Sequence, residues 1–378
     1  MDRRIQALLV VTLLCTVFTA YCAGDEAAST ENAALFYWRA FAVMPEMSKQ
    51  DDETVAHAYV GAPIDEKMAG LAKDWEPALA LLYRGAAASK CDWGVDYESE
   101  GLYAMLPHLA NARQLARGAC FHARYLMASG DAAGAARDLS AAVALGRHAA
   151  NGGNECIINT LVGLAIDQIV ISSASMYLTD RDIAPALQGT IRTAADSQVK
   201  DLVRKTILSE KSACLGWLRA QVEKHAADGT LAEFVKDKVL SEAGVPQYAD
   251  PYTLLRMIDE AADQFDQAAS IVDLPQDKFE AEYELLKQQI AASGNPITNG
   301  VFDALDKMRY QVEKVATEWA MLEAAVAYAG GGEPALAALP DPYGDGPFSM
   351  APVDGGFELA SKLTCEGEPV TVRFGPGK

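Results

Sequence analysis

The sequence has little positive charge and none of the short motifs that mark a known chemistry. Lys and Arg number 32 against 52 Asp and Glu, which gives a net charge of −20. Nucleic-acid binding needs clustered cations that contact phosphates, so this composition argues against a nucleic-acid partner. There is no HExxH, GxSxG, P-loop or dinucleotide fingerprint, and the five histidines are scattered. We therefore expect no cofactor, no metal site and no identifiable catalytic residue, which favours a protein that is not an enzyme.

Cysteines are few and widely spaced, and no CxxC pair is present. Of the seven, Cys15 and Cys22 lie in the first 22 residues. The other five are Cys91, Cys120, Cys156, Cys214 and Cys365. Because their number is odd, at least one thiol is free or pairs with another chain. Buried free thiols with room for one bridge are the simpler interpretation, and the pairing stays open.

The N-terminus has the three parts of an export signal. Residues 1–4 are basic, residues 7–23 carry no charge, and acidic residues follow. This pattern predicts a signal peptide over residues 1–22 and an exported protein of the periplasm or cell envelope. Two alternatives stay open, an uncleaved membrane anchor and lipidation at Cys22, although the bulky Tyr21 disagrees with a lipobox. In either case only this segment would contact a membrane.

Half of the residues are hydrophobic, and between residues 29 and 330 they recur at helical spacing without a useful strand alternation. We predict an all-α fold, an irregular array of antiparallel helix hairpins over residues 23–330. This domain would divide near 244–250 if it is two units. Residues 331–378 are rich in Gly and Pro, and they predict a small β meander packed on the helices.

Turn signals set the predicted boundaries. The stretch 181–226 is too long for one ordinary helix, so we expect a break at 188–190 or at 196–197. The predicted strands are 347–350, 357–363 and 370–374. The predicted helices are 29–46, 62–89, 101–129, 131–149, 154–178, 181–226, 229–243, 250–272, 276–293 and 299–329.

Three apolar stripes with heptad spacing lie in the C-terminal half. They begin at Leu254, Phe279 and Val301, and the longest ends at Val326. Each stripe occupies one helix face, which must be covered. We expect the three helices to cover one another in an intramolecular sheaf. The alternative is that the longest stripe is an oligomer seam.

Residues 116–149 resemble one tetratricopeptide (TPR) hairpin. A first helix ends at Gly130, and Ala135, Leu139 and Ala142 follow at the spacing of the second helix. Small alanines let two helices approach closely, and the leucine fills the groove between them. Since no second copy is in register, the resemblance implies one TPR-like hairpin inside an irregular array.

The segment 154–178 is almost free of charge. From Cys156 to Leu178 the single charged residue is Asp167. Several polar residues argue against a membrane span, so we expect the central helix of a bundle, with Asp167 as a buried-acid candidate. The alternative is a carboxylate satisfied by Arg, Ser or a backbone N–H.

The loop 91–97 is the best local candidate for a binding site. It carries two aromatic and two acidic residues, and loops on rigid scaffolds often hold sites. The candidate ligand-binding residues are Trp93, Asp96 and Tyr97. The alternative is a plug, in which Trp93 and Tyr97 cap the core between hairpins.

Two resemblances bear on export. Residues 341–361, with the turn Asp341–Gly344 and the strand Gly356–Ser361, resemble the C-terminal element of type II secretion pseudopilins. Without a prepilin site, this implies neither fibre assembly nor the calcium site of that family. Most of the mature chain, including the opening Asn32–Trp38, is similar to exported helical proteins of planctomycete-type bacteria. That group has no settled activity, so the resemblance implies architecture and export but no chemistry.

Together these observations predict an exported helical scaffold, or a protein that binds an envelope protein or peptide. One alternative is a hydrolase-like enzyme with dispersed acidic residues in a helical cleft. Another is an accessory component of an envelope secretion system, which rests on the tail alone. A deep pocket with converging acids would favour the enzyme, and a broad open groove would favour the binding protein.

Overall fold

The computed structural model describes most of the chain after residue 28. The described residues are 29–57, 64–152, 156–180, 183–195, 199–236, 240–241, 244–245, 250–298, 302–365 and 367–375. The predicted signal peptide and most of the segment 244–250 lie outside the described residues. Within these ranges the chain is mostly helical, and a small antiparallel sheet lies at the C-terminal end. The main features of the all-α prediction are therefore confirmed.

The elements are numbered in chain order. The strands are β1 Ser29–Asn32, β2 Ala88–Lys90, β3 Ser349–Val353, β4 Gly356–Cys365 and β5 Glu368–Phe374. The first helices are α1 Ala33–Ala42, α2 Lys49–His57, α3 Glu66–Asp74, α4 Glu76–Ala86, α5 Tyr97–Glu100, α6 Pro107–Ala128, α7 Ala132–Ala150 and α8 Ile157–Ser175. The others are α9 Ala184–Ala195, α10 Val199–Glu210, α11 Gly216–Ala227, α12 Leu231–Phe234, α13 Pro251–Ile271, α14 Gln276–Ser293, α15 Phe302–Gly331 and α16 Glu333–Ala337.

Helices α6, α7 and α8 form the centre of the molecule. α6 and α7 pack along each other across a short turn, and α8 packs on both. The turn between α6 and α7 needs a glycine at position 130, because Gly130 has a φ of 83°. A residue with a Cβ adopts this conformation only with strain. Asp131 then caps α7, since its Oδ1 accepts the Gly134 N–H at 2.8 Å. The predicted boundary between these two helices is confirmed.

Within the described ranges, α8 is the one helix that is long and apolar enough to cross a membrane by length and composition. In the structure, protein surrounds it, because α6, α7, α10 and α15 all contact it. One of its polar residues has a partner on α10, since the Thr160 hydroxyl lies 2.8 Å from the Thr206 hydroxyl. The apolar composition of α8 therefore matches its central position.

The expected three-helix sheaf in the C-terminal half is wrong. α13 packs on α14, α10 and α11, whereas α15 packs on α8, α9, α10 and the C-terminal sheet. α15 meets the start of α14 through Arg309, whose guanidinium lies 3.7 Å from the Phe279 ring centroid. Heptad spacing shows that a helix face is covered but not which helix covers it. Val312, Trp319 and Leu322 of the longest stripe are buried inside the chain, so an oligomer seam is not needed to cover them.

Two predicted N-terminal helices are shorter than their patterns. The segment 29–46 begins with β1, which pairs in parallel with β2. The expectation of no strand before residue 330 is wrong at this pair, whose strands are too short to show alternation. The segment 62–89 divides at Trp75, because Pro77 at the start of α4 favours a new helix.

The long stretch 181–226 breaks differently from the first expectation. Helix α9 continues through Gly189 and ends at Ala195, so a break at 188–190 is wrong, and residues 196–197 lie outside the described residues. A π-helical turn at Lys211–Leu215 separates α10 from α11. Such turns insert one extra residue per turn, and no sequence signal marks this one.

The C-terminal sheet has the predicted meander order β3–β4–β5. Leu359 pairs with Val372, and the sheet packs on α15 and α8. Asp341 fixes the preceding turn to β4, because its carboxylate accepts the Ser361 hydroxyl at 2.7 Å and the Lys362 N–H at 2.6 Å. The two halves of the tail motif are therefore in direct contact.

Candidate functional site

A cavity of about 380 Å³ lies beside Asp167, where α7 and α8 meet α10, α15 and the end of α9. Its apolar wall consists of Leu164, Leu202, Val312, Val315, Ala316 and Trp319. Its charged lining residues are Arg147, Asp167 and Lys205. A concave, mostly apolar site with a few convergent polar groups is the usual form of a small-ligand pocket.

Glycines shape one side of this cavity. Gly146 of α7 and Gly163 of α8 both line it. A Cβ on Gly163 would lie 2.8 Å from the Ala150 Cβ and from the Gly146 carbonyl oxygen. The two helices can cross this closely only because neither glycine has a side chain. The close crossing fixes α8, and Asp167 lies one turn further along it.

Asp167 is the acidic group of the cavity. Its Oδ1 is shielded from solvent and has no hydrogen-bond partner among the described residues. Burial raises the pKa of Asp167 to about 7, and the positive charge of Arg147 and the indole of Trp319 oppose this rise. The Trp319 Nε1, which is also shielded, does not reach hydrogen-bond geometry with any described residue. Asp167 is thus a carboxyl that can be neutral near pH 7.

Arg147 is held in place by the C-terminal end of α9. Its Nη2 donates to the carbonyl oxygens of Thr193 and Ala194, both at 2.9 Å, at the end of α9. The positive charge of Arg147 favours the charged form of the Asp167 carboxyl. Lys205 is exposed at the rim. The cavity therefore carries two cationic groups and one carboxyl that burial disfavours in its charged form.

Of the other predicted site residues, Trp93 and Asp96 lie in the loop between β2 and α5, and Tyr97 is the first residue of α5. Trp93 is buried, its Nε1 donates to the His148 carbonyl at 2.8 Å, and its ring stacks on His108 with centroids 4.6 Å apart. Tyr97 is also buried, and its hydroxyl donates to Asn159 Oδ1 at 3.3 Å. These contacts are those of a plug that caps the core.

Asp96 has a different position from its aromatic neighbours. It is exposed and caps α5 by accepting the Ser99 N–H at 3.0 Å, and these hydrogen bonds to Ser99 lower the pKa of its carboxyl. A second cavity of about 380 Å³ is lined by Trp93, Asp96 and Tyr97. It contains no Lys, Arg or unpartnered side chain among its described lining residues, so a role in ligand binding stays a prediction.

The five cysteines outside the signal segment are free in the structure. Burial raises the pKa of Cys91 to about 12 and also raises that of Cys156. A thiol with a raised pKa is a poor nucleophile because the thiolate is scarce. Among the described residues, no group of three or more His, Cys, Asp or Glu could hold a metal ion.

One buried polar network escaped the sequence analysis. The His122 Nδ1 lies 2.7 Å from Asp138 Oδ2, and the Tyr83 hydroxyl donates to Asp138 Oδ1. His122 and Asp138 lie on α6 and α7, so the network holds the central hairpin together. The signal that could have shown it is the single acid on the otherwise small and apolar face of α7.

Sequence reasoning also missed three residues of the Asp167 cavity. Arg147, Lys205 and Trp319 come from α7, α10 and α15, and only the packing of these helices brings them together.

Comparisons with protein-family models, curated proteins and solved structures found no match. The function therefore has to be argued from the site itself.

Proposed function

We propose that this chain is an exported helical binding protein whose ligand site is the cavity beside Asp167. The observation that carries the proposal is the cavity itself, in which an apolar wall surrounds two cationic side chains, Arg147 and Lys205, and the buried carboxyl of Asp167. A charged group beside an apolar wall is costly unless it is paired. A ligand of opposite charge offsets this cost. Export rests on the N-terminal segment and is part of the proposal.

The lining residues support binding rather than hydrolysis. Hydrolysis by paired carboxylates needs two acids that face each other across a cleft. Asp167 is the single carboxyl among the described lining residues, which include no His, Cys or Ser. The one hydroxyl, Thr160, is engaged with Thr206. A nucleophile and a base are therefore not brought together here.

The proposed partner is an envelope protein or peptide. The α6–α7 hairpin supports a TPR-like element as a finer part of this proposal, because Ala135, Leu139 and Ala142 are buried at its interface. TPR-like hairpins commonly present peptide-binding surfaces. The cavity lies further along α7, where this helix meets α8.

Filling the cavity tests the proposal. Ala316 lines the wall on α15, and Ala316→Phe would occupy the space without adding charge. The matched control is Ala292→Phe, at an exposed position on α14. A panel of small acids, amines, neutral aromatics and peptides is screened by thermal shift on the mature chain. We expect at least one compound to raise the Tm of the wild type and of Ala292→Phe but not that of Ala316→Phe. The absence of any such compound would refute the proposal.

A further inference from the structure

We infer that the Asp167 cavity binds a ligand with a single carboxylate on an apolar body, with the carboxylate near Arg147 and the body against Trp319. This inference rests on the proposed function and names the class of its ligand. Two sources share this chemistry, a free apolar carboxylic acid and the C-terminal residue of a peptide. Binding of octanoate and of a short peptide distinguishes them.

Charge selects the carboxylate. The whole chain has a net charge of −20, yet this cavity is lined by Arg147 and Lys205 against one acid. The two hydrogen bonds from Arg147 to the end of α9 both use Nη2. Its Nη1 hydrogens are not used by these bonds, and a charged N–H makes a strong single hydrogen bond to a carboxylate oxygen. An amine would meet two like charges at the same place.

The groups beside Arg147 fit the same ligand. The Trp319 indole N–H can only donate, and it favours the charged form of the Asp167 carboxyl. Asp167, when protonated, supplies a donor beside Arg147. The rest of the lining, Leu164, Leu202 and Val315 among others, is apolar. A ligand with a second charged group would leave that group unpaired against this wall.

Binding should depend on pH through Asp167. Burial raises its pKa to about 7, so below this value the neutral carboxyl donates to the ligand, and above it the carboxylate repels the ligand. The other charged groups facing it are Arg147 on α7 and Lys205 on α10. On α15, Glu318 has a pKa raised to about 7, but it lines a separate cavity with Gln168 and Lys314.

Calorimetry on the mature full chain tests the ligand class. The probes are N-acetylphenylalanine, its neutral amide and phenethylamine. We expect the acid to bind at least about tenfold more tightly than the amide, since the carboxylate contacts are lost. Equal binding of acid and amide, or tighter binding of the amine, would overturn the inference. If the binding of these probes is lost in Ala316→Phe, the cavity is still the ligand site, and the proposed function stands although the inferred ligand class is wrong.

Variants assign the groups. Arg147→Met should weaken the acid about tenfold or more and leave the amide unchanged. Wild-type affinity for the acid should fall roughly thirtyfold from pH 6 to pH 8.5, as the protonated fraction of a group with pKa about 7 does. Asp167→Asn should remove this fall, and Glu318→Gln should keep it. If the affinity of Asp167→Asn for the acid falls with pH as much as that of the wild type, Asp167 is not the group that makes binding depend on pH.

Two further probes identify the source. Octanoate represents a free apolar acid, and an acetylated tripeptide ending in phenylalanine represents a peptide C-terminus. Tighter binding of the tripeptide than of octanoate, lost when its C-terminus is amidated, supports the peptide. The reverse order supports the free acid. If N-acetylphenylalanine binds but neither octanoate nor the tripeptide does, the cavity accepts a smaller apolar body than these two probes carry. The inferred ligand class is then limited to single acyl amino acids.

Discussion

The buried carboxyl of Asp167 should make the protein less stable as pH rises. Its pKa is raised from 3.8 to about 7 in the folded chain. Between these values the folded state binds more protons than the unfolded state, so the free energy of unfolding falls with rising pH. The full shift corresponds to roughly 4 kcal/mol at about 1.4 kcal/mol per pH unit. Between pH 5 and pH 8 we expect about 2 to 3 kcal/mol of this, because the part that titrates below pH 5 is already lost at pH 5.

The perturbation is Asp167→Asn, which keeps the shape and removes the titration. Urea unfolding is followed by circular dichroism at pH 5 and pH 8, and Asp263→Asn, at an exposed position on α13, is the control. From pH 5 to pH 8 the free energy of unfolding of the wild type and of the control should fall by about 2 kcal/mol more than that of Asp167→Asn. Comparing variants removes the general effect of an acidic chain. An equal loss in all three proteins would refute the burial of a titrating carboxyl at this position.

Two further predictions concern packing and the tail. Gly118→Ala would place a Cβ inside the van der Waals radius of the Trp75 indole, so it should lower the free energy of unfolding by about 2 kcal/mol. The control is Gly216→Ala, whose new Cβ would meet nothing within 4 Å. It should cause no loss of stability in the same thermal unfolding assay. Asp341→Ala removes the acceptor of the Lys362 N–H, so hydrogen exchange at that amide should speed up at least tenfold, and unchanged protection would show that the turn is held by other contacts.

Local signals in the sequence predict local structure well. The boundary at residues 129–131 follows from a glycine with positive φ and an aspartate cap, both readable from residue types. The meander follows from Gly, Pro and short alternating runs. What the sequence does not contain is the partner of each apolar face. The α15 stripe was expected against its neighbours in the chain, but it covers α8 and α9.

The candidate site divides in the same way. Asp167 could be predicted as a buried acid because it is the one charge in a long apolar helix. The residues that give it a chemical setting could not, because Arg147, Lys205 and Trp319 come from three other helices. Trp93 and Tyr97 were predicted to bind a ligand because they are aromatic residues between two helices. The same residue types also cap a hydrophobic core, and the sequence does not distinguish the two roles.

The difference between Asp167 and the other shielded polar groups decides which of them points to a ligand. His108 also has two ring nitrogens without a partner among the described residues, and burial lowers its pKa to about 4. It is stacked on Trp93 and fully enclosed, so no molecule can reach it, and the neutral ring is tolerated as an apolar surface. Asp167 faces an open cavity together with two cations. There a ligand can reach the side chains that line the cavity, and a neutral acid beside a guanidinium is suited to receive an anion.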